Sequence, residues 1–277
     1  MRWRLQNGLN IGNKSQLFGA LAQERRRLIL RILQSEGSVR TQELCLKLSV
    51  SDMTIRRDFV ELEKLGYLKR VHGGAVASML DSLNHDSRAK LHLREKRLIA
   101  FRALDLIPSG GTIYLDSGTT AFELASALQE LPAEKRETIR VVTHASNIAA
   151  SLAERRVIKS IYQIGGELDL LTLAATGPQA VNQISRLNFD LFFMGAGGID
   201  PDAGWTNHDF AEVAIKQAVM KQARKTFVIA HSAKWGIVGF APIVPLNSIQ
   251  GWITDGLREG ELTRALSKQK IRLIFAK

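Results

Sequence analysis

The stretch from Ser49 to Val76, SVSDMTIRRDFVELEKLGYLKRVHGGAV, constrains this chain more than any other. Ser51 is placed to cap a helix, because its hydroxyl can accept a bond from a first-turn N–H that has no partner inside the helix. Ile55, Phe59, Leu62 and Leu65 then recur at three- and four-residue spacing, which makes one helical face apolar. Thr54, Arg56, Arg57 and Lys64 fall on the opposite face. Gly66 ends the helix, since glycine takes the left-handed conformation cheaply. A short strand from Tyr67 to Val71 follows, then a sharp turn at His72-Gly73-Gly74, with Ala75-Val76 as the returning strand. A helix with a polar, cationic N-terminal half beside a basic hairpin suits the DNA major groove with a wing next to it. A basic amphipathic helix on a solvated face is the plainer alternative, but it leaves the cap, the Thr-Ile-Arg-Arg-Asp run and the Gly-Gly turn as coincidences.

Upstream, Gln23 to Ser35 has a helical stripe of Leu28, Ile29, Ile32 and Leu33, with Glu24, Arg25, Arg26, Arg27 and Arg31 facing out. Gly37 stops it, and Thr41 caps a second helix that turns Leu44, Cys45 and Leu48 inward. Residues 21–77 are therefore expected to form a winged helix-turn-helix. In that geometry the side chains near the N-terminus of the recognition helix read sequence. They are Ser51, Met53, Thr54, Arg56 and Arg57, and an Arg that grips a guanine through two bonds discriminates by ~1–3 kcal/mol. Lys69, Arg70 and His72 on the wing are placed for backbone phosphate. Asp58 would repel phosphate, so an internal pairing with Arg57 or a helix-1 arginine is expected. Cys45, the only cysteine, excludes an internal disulfide and is expected as a buried structural thiol.

Charge supports the division. The chain carries a net +11, with 14 Lys and Arg against 7 Asp and Glu in residues 1–80, and 24 against 20 in the remainder. A polyanion-binding module attached to a nearly neutral domain has this asymmetry. No apolar run reaches the ~18 residues needed to span a membrane, and the basic N-terminus lacks an apolar signal core, so the cytoplasm is the expected compartment. Residues 1–20 are expected as a flexible extension and 78–90 as a linker.

Residues 91–277 alternate helix and strand. A helix from Leu91 to Leu106 turns His92, Arg94, Glu95, Lys96, Arg97 and Arg102 outward, and Pro108 with Gly110-Gly111 ends it. Strands are expected at 112–115, 139–143, 158–164, 191–194, 225–230 and 251–254, and helices at 121–131, 145–154 and 210–224. This rhythm predicts an α/β domain with a largely parallel sheet, whose ligands bind beyond the strand carboxyl ends. The loop Asp116-Ser117-Gly118-Thr119-Thr120 stands there, delivered by a strand and followed by a helix. Glycine, hydroxyls and a helix N-terminus make a phosphate cradle, and the lack of a Walker-A lysine argues against a nucleoside triphosphate. The residues alone fit an ordinary strand–helix turn equally well.

VSDMTIRRDFVELEKLGYLKRVHGGA closely resembles the signature of the DeoR family of transcription regulators. LDSGTT, IGGEL, GAGGIDPDAGWT and SAKWG extend the resemblance over roughly residues 24 to 256. It implies a C-terminal effector domain similar in fold to sugar-phosphate isomerases, sensing a phosphorylated sugar or related metabolite. By that similarity Ser117, Gly118, Thr119 and Thr120 would hold the phosphate, and Asp116, Gly166, Gly197, Asp202 and Lys234 would lie around the sugar. The chain departs from the family pattern at His144 and His231, where an amide and an acid are usual. That puts the identity of the sugar in doubt, and two histidines titrating near neutrality would make binding pH-sensitive.

The resulting expectation is a repressor of carbohydrate genes that binds a double-stranded DNA operator as a dimer or tetramer and responds to a phosphorylated sugar effector. It uses no cofactor or metal and has no membrane partner. An isomerase-like enzyme is the alternative, with Asp116, Glu167, Asp202, Glu212 and Lys234 available for acid–base work, although no nucleophile–base pair is legible. A passive module binding RNA or membrane is disfavoured by the wing and the capped helix.

Overall fold

The computed structural model describes residues 22–36, 38–64, 67–77, 85–256, 266 and 271–276. The expected extension at 1–20, the helix stops Gly37 and Gly66, Leu65 and the stretch 78–84 lie outside them, as do the side chains of Glu24, Arg27, Arg31 and Lys64. The chain divides into two compact units, residues 1–78 and 79–277.

The first unit runs α1 (Ala22–Glu36), β1 (Ser38–Arg40), α2 (Thr41–Leu48), α3 (Asp52–Lys64), β2 (Leu68–Val71) and β3 (Gly74–Ala77). Ile29, Leu33, Leu44, Leu48, Ile55, Phe59 and Leu62 are buried, so the helical periodicities form one small core. Two expectations change here. Thr41 is the first residue of α2 and not its side-chain cap, and its N–H instead donates to the wing carbonyl of Gly73 at 2.9 Å. The wing also gains a third strand: β1 pairs antiparallel with β3, giving the order β1-β3-β2. Gly74 has to be glycine, because a Cβ there would run into the Val39 carbonyl.

The second unit begins with α4 (His85–Lys90), a helix inside the stretch expected as linker, and α5 (Leu93–Leu104). The expectation failed because α4 is only six residues long and its polar sequence shows no period. Then follow β4 (Gly111–Leu115), α6 (Thr119–Ala127), α7 (Ala133–Thr138), β5 (Ile139–Thr143), α8 (Ser146–Glu154), β6 (Ser160–Gln163), β7 (Glu167–Asp169), β8 (Ala174–Thr176) and α9 (Pro178–Ile184). The chain continues through β9 (Leu191–Met194), β10 (Gly198–Asp200), β11 (Gly204–Asn207), α10 (Phe210–Gln222), β12 (Thr226–Ile229), β13 (Ala241–Val244), β14 (Gly251–Thr254) and β15 (Arg272–Phe275).

Seven strands make a wholly parallel sheet, β15-β14-β12-β9-β4-β5-β6. Alternate residues of each strand feed opposite faces, as the pleat requires. Ile113, Leu115, Val141, Phe193, Ile229 and Ile253 meet α5, α6 and α8 on one face. Tyr114, Val142, Phe192, Met194, Val228 and Trp252 meet α9, α10 and the small antiparallel sheet β10-β11-β13 on the other. Because each helix returns the chain to the start of the next strand, the ends of β4, β5, β9 and β12 and the first turns of α5 and α6 share one edge.

Candidate functional site

In the first unit the exposed N-terminal end of α3 is built as the sequence predicts. Ser51 precedes the helix, and its Oγ accepts from the Thr54 N–H at 3.3 Å and lies 2.9 Å from Thr54 Oγ1. Met53 is 71% exposed, and Arg57 is also open to solvent. Asp58 turns inward and is almost fully buried, where it accepts bonds from Arg25 Nε at 2.5 Å and Arg26 Nε at 3.1 Å. Of the two pairings expected for Asp58, the helix-1 arginines are the ones formed, and they fix α1 against α3. Arg25 and Arg26 are therefore not simply outward-facing.

Two of the cations expected at DNA are already engaged. Arg56 pairs with Asp52 one turn earlier on the same face. Arg70 donates through its backbone N–H at 2.8 Å and its Nε at 2.5 Å to Glu63, tying the wing to α3. Those two bonds hold the Glu63 carboxyl below its usual range. Lys69 and His72 are exposed. Cys45 is only half-buried, with burial and the nearby Asp52 raising its thiol pKa.

In the second unit β4 delivers Asp116 and Ser117 to the shared edge, and Gly118, at φ +93°, opens α6 with no side-chain cap. Thr119 and Thr120 form the first turn, half-exposed, with backbone N–H groups at the helix N-terminus. Ser117 is committed elsewhere: its Oγ donates to both carboxylate oxygens of Glu212 on α10, at 2.7 and 2.9 Å. Asp116 is engaged through one oxygen only, and its Oδ1 is buried with no hydrogen-bond partner among the described residues. One of its oxygens accepts from the Gly195 N–H at 2.7 Å and pairs with the Lys216 ammonium, which also reaches Glu212 at 3.4 Å. Asp116 therefore orders the loop after β9 where the sequence expectation put it beside the sugar.

His144 is fully buried, and its Nδ1 lies 2.9 Å from the Tyr114 hydroxyl. Burial lowers its pKa from the usual imidazole value, which counts against the expected titration near neutrality at this position. Among the described residues, Asp116, His144 and Glu212 are the His and carboxylate group close enough to share a cation, with ligand atoms within 4.8 Å. The Lys216 ammonium already supplies that cation. Burial alone would lower the pKa of Lys216 and raise that of Glu212. Each carries the opposite net shift, because Asp116 and Glu212 outweigh desolvation at Lys216, and Lys216, His144 and Ser117 outweigh it at Glu212.

The remaining predicted positions separate. Gly166 and Gly197 are close-packing glycines: a Cβ at Gly166 would strike the Thr176 carbonyl, and one at Gly197 would meet His208 and Asn207. Asp202 sits at the exposed tip of the β10–β11 hairpin, at the opposite end from Gly197-Gly198. Its N–H donates to Asp200 Oδ1 at 3.0 Å, which makes it a turn residue. Lys234 lies in a 3-10 turn, Ser232–Lys234, after β12. It is near His92 and Lys96 at the start of α5, close enough for its charge to depress both pKa values after burial has done so. Lys96 is the residue the sequence reading most clearly missed. It was expected outward and is instead 4% exposed.

A family model described as the DeoR C terminal sensor domain matches residues 91–256, and one described as the DeoR-like helix-turn-helix domain matches residues 25–79. Similar proteins include the uncharacterized HTH-type transcriptional regulator FruR of Bacillus subtilis, 34% identical over 85% of this chain and 92% of that one. The glycerol-3-phosphate regulon repressor of Haemophilus influenzae is 30% identical over 91% and 96%. The lactose phosphotransferase system repressor of Staphylococcus epidermidis is 30% identical over 82% and 89%. Among solved structures, ribose 5 phosphate isomerase A from Neisseria gonorrhoeae aligns over 52% of this chain and 53% of that one, with a TM-score of 0.36 and 18% identity.

Proposed function

The chain belongs to the DeoR family of DNA-binding transcriptional regulators, and from that premise we propose that it represses genes of carbohydrate or sugar-phosphate metabolism and releases its operator when a phosphorylated sugar binds the second unit. The DNA half rests on α3: a capped helix with Ser51, Met53 and Arg57 exposed and Thr54 half-exposed at its N-terminal end enters the major groove. Arg56 joins them by exchanging Asp52 for a base or phosphate. Lys69 and His72 take backbone phosphate, while Arg70 braces the wing through Glu63.

The sensing half rests on one observation: a glycine turn with an uncapped helix N-terminus, Gly118 to Thr120, stands at the carboxyl edge of a parallel sheet. Gly118, Thr119 and Thr120 hold the phosphate with backbone N–H groups and hydroxyls, and Lys234 lies beside it. Ser117, Asp116, Gly166 and Gly197 shape the floor. The second unit is read as a sensor that holds its ligand, in keeping with the DeoR sensor-domain model it matches. The protein acts in the cytoplasm as a homo-oligomer, and the ligand works by binding the DNA-competent and DNA-incompetent states with different affinity.

The test is a titration of the full chain on its own upstream DNA across salt concentrations, alone and with glycerol 3-phosphate and a panel of hexose phosphates. Sequence-preferring binding with a steep salt slope that one phosphorylated compound weakens is the expected result. Equal binding to all DNA, unaffected by every phosphorylated sugar, would refute the proposal.

A further inference from the structure

The edge formed by α4, the start of α5 and the turn after β12 carries more basic groups than the glycine loop explains. Lys96 is buried, and its ammonium donates to the Arg88 backbone carbonyl at 2.6 Å. His92 and His231 stack with ring centroids 4.3 Å apart. His85, also buried, lies edge-on to Phe122 in α6 at 5.3 Å, which sets the cluster against the helix that Gly118 opens. Lys234 and Arg88 bring two more positive charges to bear on Lys96.

Burying charge of one sign is costly unless a counter-charge is at hand. The nearby carboxylates Glu123, Glu95 and Asp255 offset part of it from a distance, but none bonds the Lys96 ammonium. Glu123 accepts from Arg97 at 3.1 Å, and Asp255 accepts from the Ser232 N–H and hydroxyl at 2.6 and 3.0 Å. Glu95 lies 3.9 Å from His92, and Asp86, exposed, lies 3.6 Å from His85. Three buried nitrogens of the cluster, His85 Nε2, Arg88 Nε and His231 Nδ1, have no hydrogen-bond partner among the described residues.

We infer that Lys96, Arg88, His231 and Lys234 form a cationic seat for the dianionic phosphoryl group of the effector, on the α5 side of the glycine loop. A phosphoryl group offers three strong acceptor oxygens and about two negative charges, which answers both the unmatched donors and the excess charge. The loop then supplies neutral donors and the seat supplies the counter-charge. This rests on the reading that the second unit senses a phosphorylated ligand, and it places the charge-bearing contacts on residues outside the loop.

A signature separates the seat from mere surface charge. Burial first, then Lys234, depresses Lys96 to about 8, and burial with Lys234, His92 and Lys96 pushes His231 well below the usual imidazole range. A bound dianion must raise both. Binding therefore takes up protons, and affinity falls as pH rises through the Lys96 value. The groups facing Lys96 and the two stacked rings are Asp86, Arg88 and His85 from α4, Glu95 from α5, Glu123 from α6, Lys234 after β12 and Asp255 after β14. None of the carboxylates among them hydrogen-bonds the Lys96 ammonium.

The experiment measures inorganic phosphate binding to the full chain by calorimetry and by the rise in melting temperature, at constant ionic strength set with chloride, from pH 7.5 to 9.5. Phosphate stays mostly dianionic there, so protein groups govern the slope. Wild type is expected to bind and to lose affinity toward tenfold per unit above pH 8. Lys96→Met, with its fold checked by a cooperative melt, is expected to bind at least tenfold more weakly with a flat profile, and Lys234→Met to weaken binding with the fall in affinity shifted to higher pH, since Lys234 no longer depresses Lys96. Failure of wild type to bind phosphate, or an unchanged affinity and slope in Lys96→Met, overturns the seat. Phosphate bound with this signature while no phosphorylated sugar alters DNA affinity keeps the seat and refutes the proposed function instead.

Discussion

The carboxyl edge of the parallel sheet holds two buried lysines with opposite surroundings. On the α10 side, Lys216 is 2% exposed and sits between Asp116 and Glu212, within reach of both. On the α5 side, Lys96 is 4% exposed, has a backbone carbonyl for its hydrogen bond, and has Lys234 as the strongest charge acting on it, with Glu123, Arg88 and Glu95 after it. In the first, two carboxylates match the buried ammonium, and they reach the glycine loop through Ser117 and the β9 loop through Gly195. The second is an arrangement that an anion completes. Buried charge alone does not mark a binding group, and the state of its partners distinguishes architecture from recognition.

Removing each lysine breaks the comparison most sharply. Lys216→Met strands two buried carboxylates and is expected to destabilise the second unit by about 3–5 kcal/mol. Lys96→Met removes a charge the fold holds at a cost, so its stability at pH 7 is expected to equal or exceed wild type. Urea unfolding followed by the fluorescence of buried Trp205, Trp235 and Trp252, all in that unit, measures both. Equal losses in the two variants would erase the distinction.

The two lysines also give opposite pH signatures. For Lys96 the folded value, about 8, lies below the unfolded 10.5. The unfolded chain then binds more protons between these values, and stability rises with pH across that window by about 3 kcal/mol. For Lys216 the folded value is raised, so its contribution is complete below 10.5 and is lost as pH climbs through the folded value. Subtracting the Lys96→Met stability profile from wild type isolates the first effect, which should vanish above pH 10.5.

The first unit offers a milder version of the paired case. Asp58 is buried between Arg25 and Arg26, but those side chains keep partial access to water. Asp58→Ala is expected to cost about 1–3 kcal/mol and to loosen α3 against α1. A melt of the first unit, with DNA affinity measured alongside, checks both.

The sequence made the sheet legible where strands are short continuous apolar runs buried on both faces. Ile139–Thr143, Leu191–Met194 and Gly251–Thr254 appear at their expected limits. It hid β1, β7, β8, β10 and β11, three- and four-residue strands with mixed or glycine-bearing sequences that exist only through their partners. The glycine loop was visible from its composition, but the roles around it were not. Lys96 shares a helical stripe with Ile99, Ala100 and Ala103, and Lys216 shares one with Glu212, Ile215 and Val219. The periodicity puts both on the buried side, and for Lys96 a charged side chain is a weak sign of an outward position.

The smallest expected effect carries the comparison to the wing, where Lys69 and Arg70 are adjacent cations of the same strand. Arg70 is bound to Glu63, and exposed pairs of this kind contribute at most about 1 kcal/mol. If its work is to brace the wing, Arg70→Met lowers stability slightly and leaves the salt dependence of DNA binding nearly intact. Lys69→Met, losing one phosphate contact, reduces the slope of log affinity against log salt by about 0.9 without altering stability. Fluorescence anisotropy on one operator fragment from 50 to 300 mM salt separates the two. A drop of similar size for Arg70→Met would show that the arginine leaves Glu63 for phosphate on binding, and that the pairing seen here is a resting position.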